Sequence, residues 1–266
     1  MAIKLYWCRG KGRSDSSQQN FGDYLSPLIV EMMSGKKVEY APINRAEMMA
    51  IGSILPREKK AKGLFWPRRL HIWGAGTDAE GLKFSGRHYY HAVRGVKSLD
   101  QIDSLKEQPA LGDPGLLSKM WWEGKAIPSK KYRIGFIPHY VDHLHPIVDE
   151  FRNLKDTLVI NVFSPVEDVL RDIQSCEFIV SSSMHGLIVA DSFGVPNRRV
   201  RLSAGKISDY KFSDYYSAFG MEEPRFLEVS EMLNLPFTNL DEMFSDYQRD
   251  HIDSIQQGLI ESFPSI

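Results

Sequence analysis

The sequence predicts an α/β fold of two Rossmann-like lobes, each a parallel sheet flanked by helices, with a ligand cleft between them. Three observations carry that prediction. Short apolar runs alternate with stretches of helical periodicity in both halves of the chain, the pattern of strands joined by crossover helices. The run Phe178, Ile179, Val180 is apolar at every position, as a strand covered on both faces must be. A stretch rich in Trp, Gly, Pro and Lys at 122–131 interrupts the alternation, which restarts after it, so the lobes divide into 1–127 and 128–266.

Taken in order, 3–8 reads as a buried strand, and the polar 9–20 as the loop at its carboxyl end. Asn20, Phe21, Gly22 and Asp23 open a helix whose Leu25, Leu28, Ile29, Met32 and Met33 share a face until Gly35 ends it. Strands are expected at 37–43, at 50–56 with a glycine turn, and at 69–78, which ends in Gly74, Ala75 and Gly76. Glycines there allow a ligand or another backbone to approach closely. Residues 88–93 form a strand with Arg94 and Gly95 at its exit, and a helix follows with Ser98 as its cap. Residues 109–114 return to the sheet edge.

In the second half, strands are expected at 134–138, ending at His139, and at 158–163, with helices at 145–154 and 165–175. The strand at 178–180 runs into Ser181, Ser182, Ser183, Met184, His185 and Gly186, after which Leu187 to Phe193 keep helical spacing until Gly194 and Pro196. The serines and His185 therefore sit where a strand's carboxyl end meets a helix amino terminus, the place where an open α/β sheet binds anions. Two readings stay open: an anionic ligand beside His185, or a helix-capping histidine with serines that satisfy backbone groups. Residues 197–202 continue the sheet, 211–221 are helical, and 239–263 are helical with a long last helix that can cross back to the first lobe.

The totals exclude several classes. Thirty-three basic against 34 acidic residues leave a net charge of -1, which argues against a dedicated nucleic-acid binder. Cys8 and Cys176 make neither a metal spacing nor a disulfide framework, suit a reducing compartment, and read as small buried apolar residues. The first ten residues are too short a run for a secretory signal and no apolar run approaches a membrane span, so a soluble cytoplasmic protein is expected. No GxGxxG or Walker A spacing occurs. Arg57, Lys59, Lys60, Lys62, Arg68 and Arg69 surround Phe65 and Trp66. That segment, 57–69, is either a solvated loop or a peripheral dock for a polyanionic glycan or the anionic inner face of a membrane.

NFGDYL at 20–25, the strand ends GSIL and WGAG, VRGVKS at 93–98, LGDPGLL at 111–117, IGFIPH at 134–139, SSSMHGLIVADSFGVP and KFSDYY together resemble the polysaccharide pyruvyl transferase family. The resemblance implies a GT-B-like fold and transfer of the carboxyvinyl part of phosphoenolpyruvate to a sugar as a ketal, in bacterial surface or exopolysaccharide synthesis. It makes 1–127 the acceptor side and 128–266 the phosphoenolpyruvate side, with a saccharide acceptor, lipid-linked in one version. Family members often carry arginine where this chain has Ser183 and aspartate where it has Gly95.

Phosphoenolpyruvate carries a phosphate and a carboxylate, so its site needs charge-assisted donors. Arg94 is the first candidate, against a structural ion pair, and Lys206 is the second. His185 suits general acid work: a helix amino terminus lowers its pKa and a bound phosphate opposes that shift. His139 is assigned phosphate or proton-transfer work, against simple packing. Asp23 is a base or an acceptor contact, against ordinary first-turn stabilisation. Ser181, Ser182, Ser183, Gly186, Asn20, Gly74 and Gly76 complete the expected substrate contacts, and Asp113 reads as a turn former. HYVDHLH lacks a coherent ligand geometry, so no metal and no cofactor are expected, with phosphoenolpyruvate as donor substrate. Two other readings remain: a GT-B-like glycosyltransferase or epimerase that uses a nucleotide sugar, and a non-catalytic glycan-binding protein.

Overall fold

The computed structural model describes residues 2–10, 19–62 and 68–266. The first half runs β1 (Ile3–Tyr6), α1 (Phe21–Ser34), β2 (Val38–Tyr40), β3 (Met48–Met49), a 3-10 turn (Leu55–Lys60), β4 (His71–Ala75), β5 (Phe84–Ser85), β6 (Tyr89–Val93), α2 (Val96–Leu99), β7 (Ile102–Asp103) and β8 (Ala110–Leu111). A second 3-10 turn (Pro114–Leu117) and α3 (Ser118–Trp122) lead out of it. The second half runs β9 (Tyr132–Ile137), α4 (Pro146–Arg152), β10 (Thr157–Val159), α5 (Val166–Gln174), β11 (Cys176–Ser181), α6 (Met184–Phe193), β12 (Asn197–Arg201) and α7 (Tyr210–Ser217). It closes with β13 (Leu227–Glu228), α8 (Val229–Met232), α9 (Leu240–Met243) and α10 (Ile252–Glu261).

The α/β expectation holds. Six strands form one sheet in the order β2-β1-β3-β4-β6-β8 and five form another in the order β10-β9-β11-β12-β13, and every pairing in both is parallel. Parallel strands need crossovers on the sheet faces, which is why the helices alternate with them. One continuous core fills the space between the sheets: Leu5, Trp73 and Ala92 from the first, Ile137 and Ile179 from the second, and Leu25, Leu187 and Leu259 from α1, α6 and α10. Separate clusters cover the outer faces. Helix α6 is buried through Ser192 because it is apolar nearly all round, which only an interior helix tolerates.

Four local expectations are corrected. The strand placed at 50–56 lies earlier, at Met48–Met49, because Gly52 turns the chain at φ +112 and Pro56 starts the 3-10 turn. Ser98 is not a cap. It lies inside α2, whose cap position is Gly95, and its hydroxyl donates to Asp214. Cys176 is buried but Cys8 is exposed, two residues past the end of β1. The end of the chain is broken into α9 and α10, with His251 in the left-handed region at φ 67 between them. Helix α10 lies against β8, and Trp73 in β4 donates from Nε1 to the Leu259 carbonyl at 3.0 Å. Phe65 and Trp66 lie outside the described residues. Among the described residues no helix is long and apolar enough to cross a membrane.

Candidate active site

Residues at the carboxyl ends of strands from both sheets come together, the place where parallel α/β proteins bind ligands. Arg94 follows β6 and Asp113 follows β8 from the first sheet; His139 follows β9 and Ser181, Ser182 and Ser183 end or follow β11 from the second. The first turns of α1, α6 and α7 bring Asp23, His185 and Lys211 to the same place.

His185 is 8% exposed. Its imidazole lies over Gly22 of α1 so closely that a Cβ there would stand 2.2 Å from Nδ1, so the glycine is what lets α1 and α6 approach. Nε2 is sealed from solvent without a hydrogen-bond partner and lies 4.0 Å from Asp113 Oδ2, which is equally sealed and unpaired. Burial, then the charges of Lys211 and Arg94, push the His185 pKa down to about 3. His139 is likewise lowered to about 3 by burial, Lys211 and His185. Both rings are therefore neutral in the free protein at neutral pH.

The acids move the other way. Burial pushes Asp23 up to about 7, against the hydrogen bond from Asn20 Nδ2 at 3.2 Å and the charge of Lys211. Burial also raises Asp113 to about 6, against the Gly115 N–H and Arg94. Lys211 is brought down to about 8 by burial and by Arg94 and Arg199, with Asp78 and Asp23 opposing, so it keeps most of its charge at neutral pH. A cation, two neutral imidazoles and two carboxyls with raised pKa values thus come together, a clustering of perturbed groups of the kind that functional sites carry.

The remaining expected residues divide. Asn20 reaches the cluster through Asp23. Arg94 is fully buried: Nε donates to Asp214 Oδ2 at 2.9 Å, Nη1 donates to Ser53 Oγ at 2.8 Å, and Nη2 binds the Thr77 carbonyl. Its fork is thus occupied by the protein, as an internal ion pair requires, and the half-buried cation of the cluster is Lys211. Lys206 stands on the exposed 203–206 turn. Gly74 and Gly76 admit side chains: a Cβ would meet Pro114 Cδ at 2.1 Å and the Arg94 guanidinium carbon at 2.5 Å, respectively.

Ser181 Oγ lies 3.0 Å from the Ile137 carbonyl and accepts from the Ser183 N–H at 2.9 Å, and Gly186 is needed because a Cβ would stand 2.5 Å from it. The register that pairs Ser181 with Ile137 also lets His139 N–H donate to Ser182 Oγ at 2.8 Å, while Ser182 donates to Asp142 Oδ2 at 2.7 Å. These two serines hold the strand ends together. Ser183 occupies the cap position of α6 without a side-chain cap bond, leaving the first turn's dipole uncapped. Lys211 was missed in the sequence, although it opens the KFSDYY segment; the signal was a lysine at a helix amino terminus, where a cation is unfavourable unless it has a task.

Among the described residues no group of three or more His, Cys, Asp or Glu side chains is arranged to hold a metal ion. A groove of about 840 Å³ lies elsewhere, lined by Lys59, Lys62, Lys83, Phe84, Arg87 and Asp103 among others. Its lining contains no histidine.

Residues 20–201 match the profile of a family described as polysaccharide pyruvyl transferase. The chain is 31% identical over 188 residues to an uncharacterised protein of Acanthamoeba polyphaga mimivirus, covering 64% of this chain and 65% of that one. It is 27% identical over 224 residues to the succinoglycan biosynthesis protein ExoV of Rhizobium meliloti, covering 81% of this chain and 67% of ExoV. The chain thus spans about two thirds of the length of these relatives. No solved structure matches it.

Proposed function

The chain belongs to the polysaccharide pyruvyl transferase family, and from that membership we propose that it transfers the carboxyvinyl group of phosphoenolpyruvate to two hydroxyls of a saccharide as a cyclic ketal, in the synthesis of a surface or extracellular polysaccharide. The observation that supports this most directly is the sharing of Lys211 among His185, His139 and Asp23 in one cluster. Phosphoenolpyruvate is a compact polyanion whose C3 must gain a proton while a hydroxyl loses one. The cluster offers a cation, an acid and a neutral base for those tasks.

In this reading Lys211 and the amino terminus of α6 hold the anion. Asp23, with a carboxyl pKa of about 7, protonates C3 in place of His185, whose pKa of about 3 leaves it no proton to give, and positive charge develops at C2. A sugar hydroxyl attacks C2 and passes its proton to neutral His185. The C2–O bond to phosphate then breaks, and the imidazolium returns its proton to the departing phosphate. The second hydroxyl closes the ring on C2 and gives its proton to the Asp23 carboxylate, which restores the acid. Two hydroxyl protons leave the sugar, one ends on C3 and one on phosphate, so the cycle balances. Tyr140, 46% exposed and close enough to Asp23 for its pKa to feel that charge, provides a face on which a sugar ring stacks.

Incubation with phosphoenolpyruvate and a panel of nucleotide- and lipid-linked sugars tests the reading, with phosphate release and product mass as readouts and thermal stabilisation by phosphoenolpyruvate alongside. Acceptor-dependent phosphate release with a pyruvyl mass gain, lost in His185→Ala, is the expected result. Stabilisation by a nucleoside diphosphate and none by phosphoenolpyruvate overturns it in favour of a nucleotide-sugar enzyme.

A further inference from the structure

We propose that Asp113 is the positioning residue for His185: its Oδ2 holds the imidazole as the Nε2–H tautomer, so that Nδ1 is the nitrogen that exchanges a proton with the bound substrate. The inference rests on the preceding reading only for what the substrate is, because the tautomer is a property of the free protein.

Asp113 caps the Pro114–Leu117 turn with one oxygen alone. Oδ1 accepts from the Gly115 N–H at 2.9 Å, and Oδ2 has no partner although the side chain is fully buried. Asn or Ser caps a turn as well as Asp does, without a buried charge. A second carboxylate oxygen left unpaired in the interior keeps its full desolvation penalty. Capping therefore does not account for a carboxylate here. The atom that faces Oδ2 is His185 Nε2, also buried and unpaired, at 4.0 Å. Each of the two buried atoms is the complement the other lacks, a donor nitrogen and an acceptor oxygen. At 4.0 Å the two make no hydrogen bond in the free protein, and the buried carboxylate acts on the ring through its charge, which favours the proton on the nitrogen that faces it.

The opposite edge of the ring carries Nδ1 and lies over Gly22. With Nε2 sealed, the exposure that His185 keeps belongs to other atoms of the residue. The groups that act on the ring are Lys211 from α7, Arg94 from the β6 exit and His139 from the β9 exit; Asp23 follows Gly22 in α1 and acts on Lys211, and Asp214 of α7 acts on Asp113. Among the described residues Asp113 is the carboxylate that comes within 4.0 Å of the ring. A carboxylate on one nitrogen of a catalytic histidine fixes its tautomer and steadies the imidazolium when it forms.

The tautomer is read directly in the full-length protein labelled with 15N-histidine, by long-range proton–nitrogen correlation above neutral pH, with the His185 signals identified by their loss in His185→Asn. The expected wild-type spectrum shows Nε2 protonated and Nδ1 bare. Asp113→Asn keeps an oxygen for the Gly115 cap and turns an amide N–H toward Nε2, so the proton is expected to move to Nδ1, with turnover falling about 100- to 10,000-fold while phosphoenolpyruvate still raises the melting temperature. A wild-type ring protonated on Nδ1, or a folded Asp113→Asn protein with an unchanged tautomer, overturns the proposal. The wild-type spectrum decides the matter even if the variant does not fold. Absence of pyruvyl transfer would count against the proposed reaction and leave the tautomer result standing.

Discussion

Asp214 accepts a hydrogen bond from Arg94 at 2.9 Å across 120 residues of chain, and neither side chain touches solvent. The same carboxylate takes the Ser98 N–H and hydroxyl at 2.7 Å each, so its oxygens are fully used. The pair ties α7 of the second half to the β6 exit of the first. It also gives a reason for glycine at 95, where family members often carry aspartate: a Cβ there would stand 1.8 Å from the Asp214 carbonyl. Asp214 supplies to Arg94 the carboxylate that an acidic residue at 95 has no room to provide.

Breaking this pair from one side strands a buried charge. Asp214→Leu is expected to lower stability by about 3–5 kcal/mol, whereas the double replacement Arg94→Met with Asp214→Leu loses less than the sum of the singles. Urea unfolding of the four proteins measures the coupling, and additive losses would argue against a paired charge.

Lys211 is held against its own desolvation, with a pKa near 8 in the folded chain against an ordinary 10.5. Folding therefore favours its neutral form, and the fold loses stability as pH drops from about 10 to about 8. Lys211→Met removes that penalty. The variant is expected to melt at a higher temperature than wild type at neutral pH and to lose its stabilisation by phosphoenolpyruvate. A scanning calorimetry pair with and without ligand checks both halves, and a variant that still responds to ligand removes Lys211 from the anion site.

Asp23 has its pKa raised on folding from 3.8 to about 7, so the folded state holds a proton that the unfolded chain has released. Its contribution is complete below about pH 4 and lost as the pH rises through about 7. Asp23→Asn carries no such titration. The stability difference between variant and wild type should therefore move in the variant's favour by on the order of 1–3 kcal/mol between those limits. Denaturation at pH 4, 5.5, 7 and 8.5 maps it, and a difference independent of pH would mean an ordinary carboxyl.

Gly22→Ala improves helix propensity by about 1 kcal/mol but drives a methyl group into the His185 ring. Overpacking of about 1–3 kcal/mol is expected to outweigh the gain, lowering the melting temperature and reducing turnover at least 10-fold. Gly35→Ala is the control for a glycine that ends the same helix with open space around it, although its φ of 64 adds backbone strain. A Gly22→Ala protein with wild-type turnover would show that the ring has room to move.

The strands and crossover helices were legible because apolar periodicity is a local property of the chain, and α1 and α6 start and stop where Asn20, Gly35 and Gly194 signal. The position of His185 at a strand-to-helix junction was legible for the same reason. Its partners were not. Asp113 reads as a turn former and does form the turn, but the second oxygen's neighbour lies 72 positions away and is set by the packing of α6 on the 114–117 turn. Lys211 stands out in the sequence only as a lysine in a first helical turn, and its neighbours follow from the packing of α7 on α2. Arg94 reads in the sequence as an anion contact or a structural ion pair, and its partners Asp214, Ser53 and Thr77 are visible only in the fold. Ser98 and the glycines at 74 and 76 carried the right residue types for caps and ligand contacts, yet tertiary neighbours had already claimed those spaces.

Trp73 sits in the middle of the first sheet, its N–H on the Leu259 carbonyl and its ring against Phe263 at 4.8 Å. On the ribosome β4 emerges 186 residues before that carbonyl exists. At ~5–20 residues per second the first sheet waits roughly 10–40 s with an open apolar face before α10 arrives to cover it. Through most of its own synthesis the nascent chain thus carries the face around Trp73 without its α10 cover. A premature stop anywhere before residue 252 damages the oldest part of the protein as surely as the newest.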